Sequence, residues 1–199
     1  MLLVQLFVLL FIISTDGAAV GATSAPEESL EHSIQEVFSV AMLSNNVDHV
    51  RSLIGQGAMI NAPDSLGRTG IITACLVNSL DIVRFLIDSG ADFKTIAPCG
   101  LSALMAATYS GELEVVDLLI ANGANPDLGD ATGETPLLFA LKVRRWAITK
   151  FLINAGASVL IPGKGGISPL HIARRRAREY PRNPVFAEIL RMMEKSASK

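Results

Sequence analysis

The sequence predicts an all-α solenoid, built from about five stacked helix-turn-helix units with β-turn hairpins at their tips. Three observations predict it, and all three are repeats with a period of 33 residues. Single glycines, Gly-Ala pairs and Leu-Ile pairs each recur at this step. The members are Gly67, Gly100, Gly133 and Gly166; Gly57-Ala58, Gly90-Ala91, Gly123-Ala124 and Gly156-Ala157; and Leu53-Ile54, Leu86-Ile87, Leu119-Ile120 and Leu152-Ile153. Such a period indicates stacked units, none of which can bury its apolar face alone.

The chain begins with an apolar run, which we interpret as part of a secretory signal peptide over residues 1–22. Residues 1–13 contain a single polar side chain, and this length suits a signal peptide, whereas a membrane-spanning helix needs about 20 apolar residues. Val20 and Ala22 fit the small-residue positions of a cleavage site after Ala22, and Gly17 and Ala19 offer a cut three residues earlier. The run lacks a basic start, so an uncleaved anchor is the alternative. Residues 23–32 are predicted to form a flexible linker.

Each repeated unit is predicted to begin its first helix with a hydroxyl residue as the cap. A similar six-residue sequence follows each single glycine, for example residues 135–140 and 168–173. A Thr or Ser at the cap accepts a hydrogen bond from a free amide of the first turn. The proline that follows Thr135 and Ser168 suits the first helical position, because an N–H there would have no hydrogen-bond partner within the helix.

The second helix of each unit is predicted from apolar residues at helical spacing, such as Val83, Leu86 and Ile87. The Gly-Ala pair that follows fits a left-handed helix end, which needs a residue without a Cβ atom. The single glycines lie in polar turns, such as residues 64–67, and fit a β-turn position with positive φ. Each unit therefore runs turn, helix, short turn, helix.

The six-residue sequence resembles the ankyrin-repeat motif Thr-Pro-Leu-His-x-Ala, which residues 168–173 match with one conservative change. The resemblance extends over about residues 34–195 and implies an L-shaped solenoid, in which hairpins project from a concave layer of first helices. On this basis we divide a repeat domain of residues 33–199 into units of residues 33–64, 65–97, 98–130, 131–163 and 164–195.

The units at the two ends depart from the repeat, as capping units do. The first lacks both the turn and the six-residue sequence. In the last, Arg182-Asn183-Pro184 interrupts the pattern, and the second helix is expected over residues 185–193. In the second unit, Gly70 stands where a proline is usual, and a glycine there is expected to weaken the helix by up to about 1 kcal/mol.

Charge is divided unevenly along the chain, although the formal net charge is only −2. Residues 23–130 carry four basic and fourteen acidic side chains, a net charge of −10, and residues 131–199 carry thirteen basic and four acidic side chains, a net charge of +9. The basic end attracts acidic proteins, phosphates or anionic headgroups, although a solvated capping surface is the alternative. Few aromatic residues accompany the arginines, which disfavours nucleic acid. We expect a monomer, and the charge division permits head-to-tail self-association.

No catalytic residue, metal site or cofactor is predicted. His32, His49 and His171 fall in different units, and no cluster of His, Cys and carboxylate residues has metal-ligand spacing. The resemblance implies that the ring of His171 bonds neighbouring turns. Cys75 is expected inside the helical layer and Cys99 at an exposed hairpin tip, without a disulfide between them.

The resemblance also implies that a partner protein binds the hairpin tips and the exposed side of the first helices. Several of these positions are apolar where a solvated surface would be polar, which favours a binding patch. The predicted partner-binding residues are Leu66, Arg68, Leu76, Val77, Leu101, Tyr109, Glu134, Lys142, Val143, Arg175 and Arg176.

The sequence thus favours a non-enzymatic protein-binding module that is secreted, or lies in the lumen of the secretory pathway or in a bacterial periplasm. No stable membrane insertion is expected after cleavage of the signal segment. The alternative is an accessory or chaperone-like protein that supports an exported enzyme, for example one that acts in oxidative stress.

Cleavage after Ala22 can be tested by mass spectrometry of the protein isolated from the cells that produce it. We expect the chain to begin at Thr23, or at Val20 if the earlier cut is used. A variant with both Ala19→Arg and Ala22→Arg should keep Met1, because the residue before the cut must be small. An intact Met1 in the unaltered protein would instead favour the anchored alternative.

Overall fold

The computed structural model describes the backbone of residues 26–198 and the side chains of residues 34–198. The predicted signal peptide over residues 1–22 therefore lies outside the described residues. Within them the chain is all-helical, which confirms the predicted fold class. Ten α-helices follow one another in pairs: α1 Pro26–Ala41 and α2 Val47–Gly55; α3 Gly70–Leu76 and α4 Leu80–Asp88; α5 Ala103–Ser110 and α6 Leu113–Ala121; α7 Pro136–Lys142 and α8 Trp146–Asn154; α9 Pro169–Glu179 and α10 Pro184–Ala197.

The helices form two layers. The first helices α1, α3, α5, α7 and α9 pack in that order, and the second helices α2, α4, α6, α8 and α10 pack in the same order behind them. One continuous apolar core lies between the layers. Leu86, Leu119 and Leu152, at equivalent positions of three second helices, are fully buried. Each unit is therefore covered by its neighbours, as the 33-residue period predicts.

The first helix begins earlier than predicted. α1 starts at Pro26, so residues 26–32 are helical and not the flexible linker that their composition indicated. A proline is common at the first position of a helix, because the N–H it lacks would have no helical partner there.

The last unit differs from the others in length. α9 extends to Glu179, about one turn longer than α3, α5 and α7, and α10 is longer at both ends than the predicted residues 185–193. Phe186 of α10 packs edge-on against Trp146, with ring centroids 5.3 Å apart, and lies 5.6 Å from the ring of Tyr180. These aromatic contacts hold the long connection between α9 and α10 against α8.

The Leu-Ile and Gly-Ala pairs of the sequence belong to one structural motif at the end of each second helix. After α4, the N–H of Ala91 donates to the carbonyl of Leu86 at 2.9 Å and that of Gly90 donates to Ile87 at 3.0 Å. Gly90 has a φ of +84°, which only glycine adopts without strain. The same two bonds close α2, α6 and α8. The predicted left-handed helix ends are thus confirmed, and they explain why the two pairs share one period.

The single glycines make the hairpin turns and join neighbouring hairpins. Gly67 has a φ of +73°, and its carbonyl accepts the N–H of Cys99 in the next hairpin at 2.9 Å. A Cβ atom on Gly67 would lie 2.8 Å from that same nitrogen. The carbonyl of Gly100 accepts the N–H of Ala131 at 2.8 Å in the same way, whereas within residues 26–198 no such bond joins the fourth hairpin to the fifth.

The structure explains why a glycine replaces proline at position 70. A Cβ atom there would lie 2.8 Å from the Phe38 ring, and Phe38 is fully buried against the helices of the second unit. Gly70 therefore makes room for the core of the capping unit. The predicted hydroxyl caps are present at Ser102, Thr135 and Ser168, whose side chains accept the N–H three residues later. The side chain of Thr69 makes no such bond.

A further position with positive φ recurs every 33 residues in the short turn between the two helices of a unit. It is occupied by Asn45, Asn78, Gly111 and Arg144, with φ values of 51°, 61°, 93° and 61°. Asn and Gly tolerate this conformation, but an arginine is strained in it. The fourth unit therefore carries backbone strain at Arg144.

We expect Arg144→Gly to raise the free energy of unfolding by about 1 kcal/mol, because it removes this strain. Urea denaturation followed by circular dichroism measures the change. Arg144→Ala is the matched control, since it removes the same side chain and charge but keeps a Cβ atom. Equal stabilities of the two variants would show that backbone strain is not responsible.

Candidate functional site

Five side chains, each one repeat apart, occupy equivalent positions of the five units and define what we call the row. Three lie at or near the ends of α3, α5 and α7, one lies in the 3-10 helix Met42–Ser44 that follows α1, and one lies within α9. Neighbouring helices pack about 8–10 Å apart, so the row is about 35 Å long. Its first three side chains are apolar and its last two are basic. Leu43 and Leu76 are half-buried, whereas the other three are exposed. The members in order are Leu43, Leu76, Tyr109, Lys142 and Arg175.

Tyr109 lies at the centre of the row and is held from two sides. Its ring stacks on Phe139 of α7, with centroids 5.8 Å apart and planes inclined by 29°. Its backbone carbonyl accepts a hydrogen bond from Nη2 of Arg145 at 3.3 Å. The side chain is nevertheless 47% exposed. Tyr109 therefore presents a large ring whose position is fixed in advance of any contact.

Arg145 is a structural residue that the sequence analysis did not identify. Its Nη2 also donates to the carbonyl of Ser110 at 3.1 Å, so the guanidinium caps the last turn of α5. A positive charge at this end of a helix is favourable, because the free carbonyls carry partial negative charge. Gly111 leaves space for it, since a Cβ atom there would overlap the guanidinium.

The predicted binding residues differ in exposure. Two equivalent positions next to the row, Val77 and Val143, add apolar surface, and the hairpin tips are covered more than predicted. The exposed residues are Tyr109, Lys142, Val143 and Arg175, and the half-buried ones are Leu66, Arg68, Leu76, Val77, Leu101, Glu134 and Arg176.

Two charged tip residues stabilise their own hairpins. Nη2 of Arg68 lies 2.7 Å from Oδ2 of Asp64, and Oδ1 of the same aspartate accepts the N–H groups of Leu66 and Arg68 at 2.9 Å. Glu134 pairs with Lys142 at 2.8 Å. Arg68 and Glu134 are therefore already engaged within the chain.

Asp130 organises the fourth hairpin. Its Oδ1 accepts the Thr132 hydroxyl and N–H at 2.7 and 2.8 Å and the Glu134 N–H at 3.0 Å. Burial on its own would raise the pKa of this carboxyl, but these hydrogen bonds and the Lys142 charge outweigh it and lower the pKa below its usual value. The ionised carboxylate is thus favoured in the folded hairpin.

Arginines of α9 carry the basic end of the row. Arg175 and Arg176 share one carboxylate, Glu179, at 3.7 and 3.5 Å. Arg174 reaches Glu194 of α10 at 3.4 Å, and Arg178 makes no ion pair within the part of the chain that the structure describes. Positive charge therefore remains in excess on this helix.

The thiols and the described histidines form no reactive group. Cys75 is fully buried, which raises the pKa of its thiol, and Cys99 is half-buried and not fully exposed as predicted. His171 is exposed, and its ring has no hydrogen-bond partner in residues 34–198, contrary to the role that the resemblance implied. Among the described residues, no three His, Cys, Asp or Glu side chains could together hold a metal ion.

None of the helices described here is both long and apolar enough to cross a bilayer.

A family model described as ankyrin repeats in three copies matches residues 37–130 and 104–180. No curated protein sequence matches the chain.

The lowered pKa of Asp130 predicts a pH-dependent stability. Because its folded pKa lies below the ordinary value of 3.8, the carboxylate stabilises the fold above that pH, and the stabilisation is lost as the pH falls through the folded pKa. We expect Asp130→Asn to lower the free energy of unfolding by about 1 kcal/mol at pH 7, and this difference should shrink as the pH falls below 3.8.

Urea titrations at a series of pH values measure this difference. Asp117→Asn, on the exposed side of α6, is the control and should leave stability nearly unchanged throughout. A gap between Asp130→Asn and the unaltered protein that stays constant from pH 7 to pH 3 would contradict the assignment.

Proposed function

The chain belongs to the ankyrin-repeat family, since the family model matches most of its length, and on this premise we propose that it is a non-enzymatic module that binds a partner protein through the row and the hairpin tips. Repeats of this family generally mediate contacts between proteins, and its members are typically not enzymes.

The observation that carries this proposal is the fixed, half-exposed Tyr109 between other row residues. A tyrosine that serves only the core would be covered, whereas this ring is stacked on one face and open to solvent. Aromatic residues that are rigid before binding lose little side-chain entropy on contact and are common at the centres of protein interfaces. Leu76 and Val143 extend the apolar surface on either side.

The same geometry supports a non-enzymatic role. A cavity of about 130 Å³ lies beside the second and third hairpins, lined by residues that include Asn61, Thr69 and Asp92. Pockets for small-molecule ligands usually hold about 300–1,000 Å³. We therefore assign recognition to the open row and not to a cleft.

We further propose that this binding takes place in the secretory pathway, outside the cell or in a periplasm. The support is the sequence of residues 1–22, with its apolar run and small-residue cleavage site. The partner is then a protein that occupies the same compartment.

Site-specific photo-crosslinking tests the proposed surface. A benzophenone amino acid placed at Tyr109 should yield a discrete crosslinked product with one protein in the cells that produce the chain, identified by mass spectrometry. The same group at Asp117, on the opposite layer of helices, is the matched control and should yield none. Crosslinking that is equal from both positions, or absent from Tyr109, would refute a binding role for the row.

A further inference from the structure

The row changes from apolar to basic along its length, and from this we infer the chemistry of its occupant. We propose that the row binds an extended protein segment whose apolar side chains lie against the first three units and whose carboxylates lie against the last two. The inference rests on the proposed function and specifies the partner for the same surface. An extended chain advances about 3.3 Å per residue, so about 11 residues would cover the row.

The apolar half is continuous. Leu43, Leu76 and Tyr109 occupy equivalent positions of packed neighbouring units, and Val77 lies beside them on the second. None of these side chains carries a charge, although the segment of chain that contains them has a net charge of −10. Some acidic side chains of these units lie on the second helices, as on α4 and α6, where Asp81 and Asp117 are exposed. This half offers contact area to apolar side chains and little to ions.

The basic half holds cations that remain accessible to a partner. Arg175 pairs with Glu179 at the surface, and such an exposed pair is weak because water screens both charges. Lys142 is also exposed, although its partner Glu134 is half-buried. Glu179 is shared with Arg176, so it cannot satisfy both guanidiniums with two bonds each. A carboxylate of the partner can supply the second set, because arginine binds carboxylates through paired hydrogen bonds.

Not every arginine of α9 belongs to this half. The guanidinium of Arg174 contacts Glu194 of α10 and is therefore directed towards the second layer of helices. Arg191 lies on α10 itself and is exposed there. Arg175, by contrast, continues the row from Lys142. Mutation of Arg175 is therefore expected to weaken binding, whereas mutation of an arginine outside the row is not.

The charge pattern favours a protein segment over a nucleic acid or an acidic polysaccharide. A polyanion gains nothing from Leu43, Leu76 and Tyr109, and beyond the last two units it meets a strongly acidic chain. The screening length is about 10 Å at 0.1 M salt, close to the spacing of one unit, so repulsion from adjacent units is felt. A segment with both apolar and acidic residues avoids this conflict.

Selection of random peptides of about 12 residues displayed on phage tests the inference on the purified protein. We expect enriched sequences to combine Asp or Glu with aromatic or aliphatic residues. A synthetic peptide of the enriched sequence should bind about 10-fold more weakly at 300 mM than at 50 mM salt by fluorescence anisotropy. Arg175→Glu and Tyr109→Ser should each weaken it about 10-fold, whereas Arg191→Glu on α10, the matched control in the second layer of helices, should change it less than about 2-fold.

The outcomes separate this inference from the proposed function. Enriched peptides without acidic residues, still sensitive to Tyr109→Ser, would overturn the inference and leave the proposed function standing. Peptides insensitive to both row variants would overturn both. An equal loss with Arg191→Glu, tighter binding of a heparin fragment or an oligonucleotide, or no enrichment would each overturn the inference. Concentration-dependent dimerisation in the ultracentrifuge that Arg175→Glu abolishes would also overturn it, by assigning the row to a second copy of the chain.

Discussion

Burial of each helix pair against the next is the interaction on which the rest of the structure depends. Leu86, Leu119 and Leu152 are fully buried only because another unit covers them, and each contributes about 2 kcal/mol relative to exposure. The stacking also sets the register of the surface, because residues 33 positions apart in the sequence become neighbours in space. Side chains at equivalent positions of the units therefore form a row, and their order along the surface is the same as their order in the sequence.

Much of the fold could be predicted because its determinants repeat within one chain. The Gly-Ala and Leu-Ile pairs mark a helix end whose hydrogen bonds lie within six residues, so the sequence contains all of it. The sequence does not reveal the turn position of Asn45, Asn78, Gly111 and Arg144. These residues share a positive φ, but three different amino acids occupy the position, so no repeated residue type marks it. The reason for Gly70 also lay beyond local sequence, since it is the ring of Phe38, 32 residues away in the chain.

The candidate surface was predictable in its positions but not in its details. The positions of Tyr109, Lys142 and Arg175 follow from the 33-residue repeat of the sequence. The sequence did not reveal that Arg145 reaches across to the end of α5 or that Arg68 closes its own hairpin, since both depend on side-chain conformations between or within turns. The covering of the hairpin tips has the same origin. A polar side chain that already forms hydrogen bonds or ion pairs within the chain is less available to a partner.

The backbone bonds between hairpins divide the molecule mechanically. Gly67 and Gly100 link the tips of the second, third and fourth units in series, so these tips resist being bent apart. The fifth tip has no such link within residues 26–198, and its turn contains two adjacent glycines with positive φ, Gly165 and Gly166. The hairpins at the basic end are therefore less firmly joined than those in the middle of the stack. A partner that contacts the tips would find fixed positions on the second to fourth units, whereas the fifth tip could adjust its position on binding.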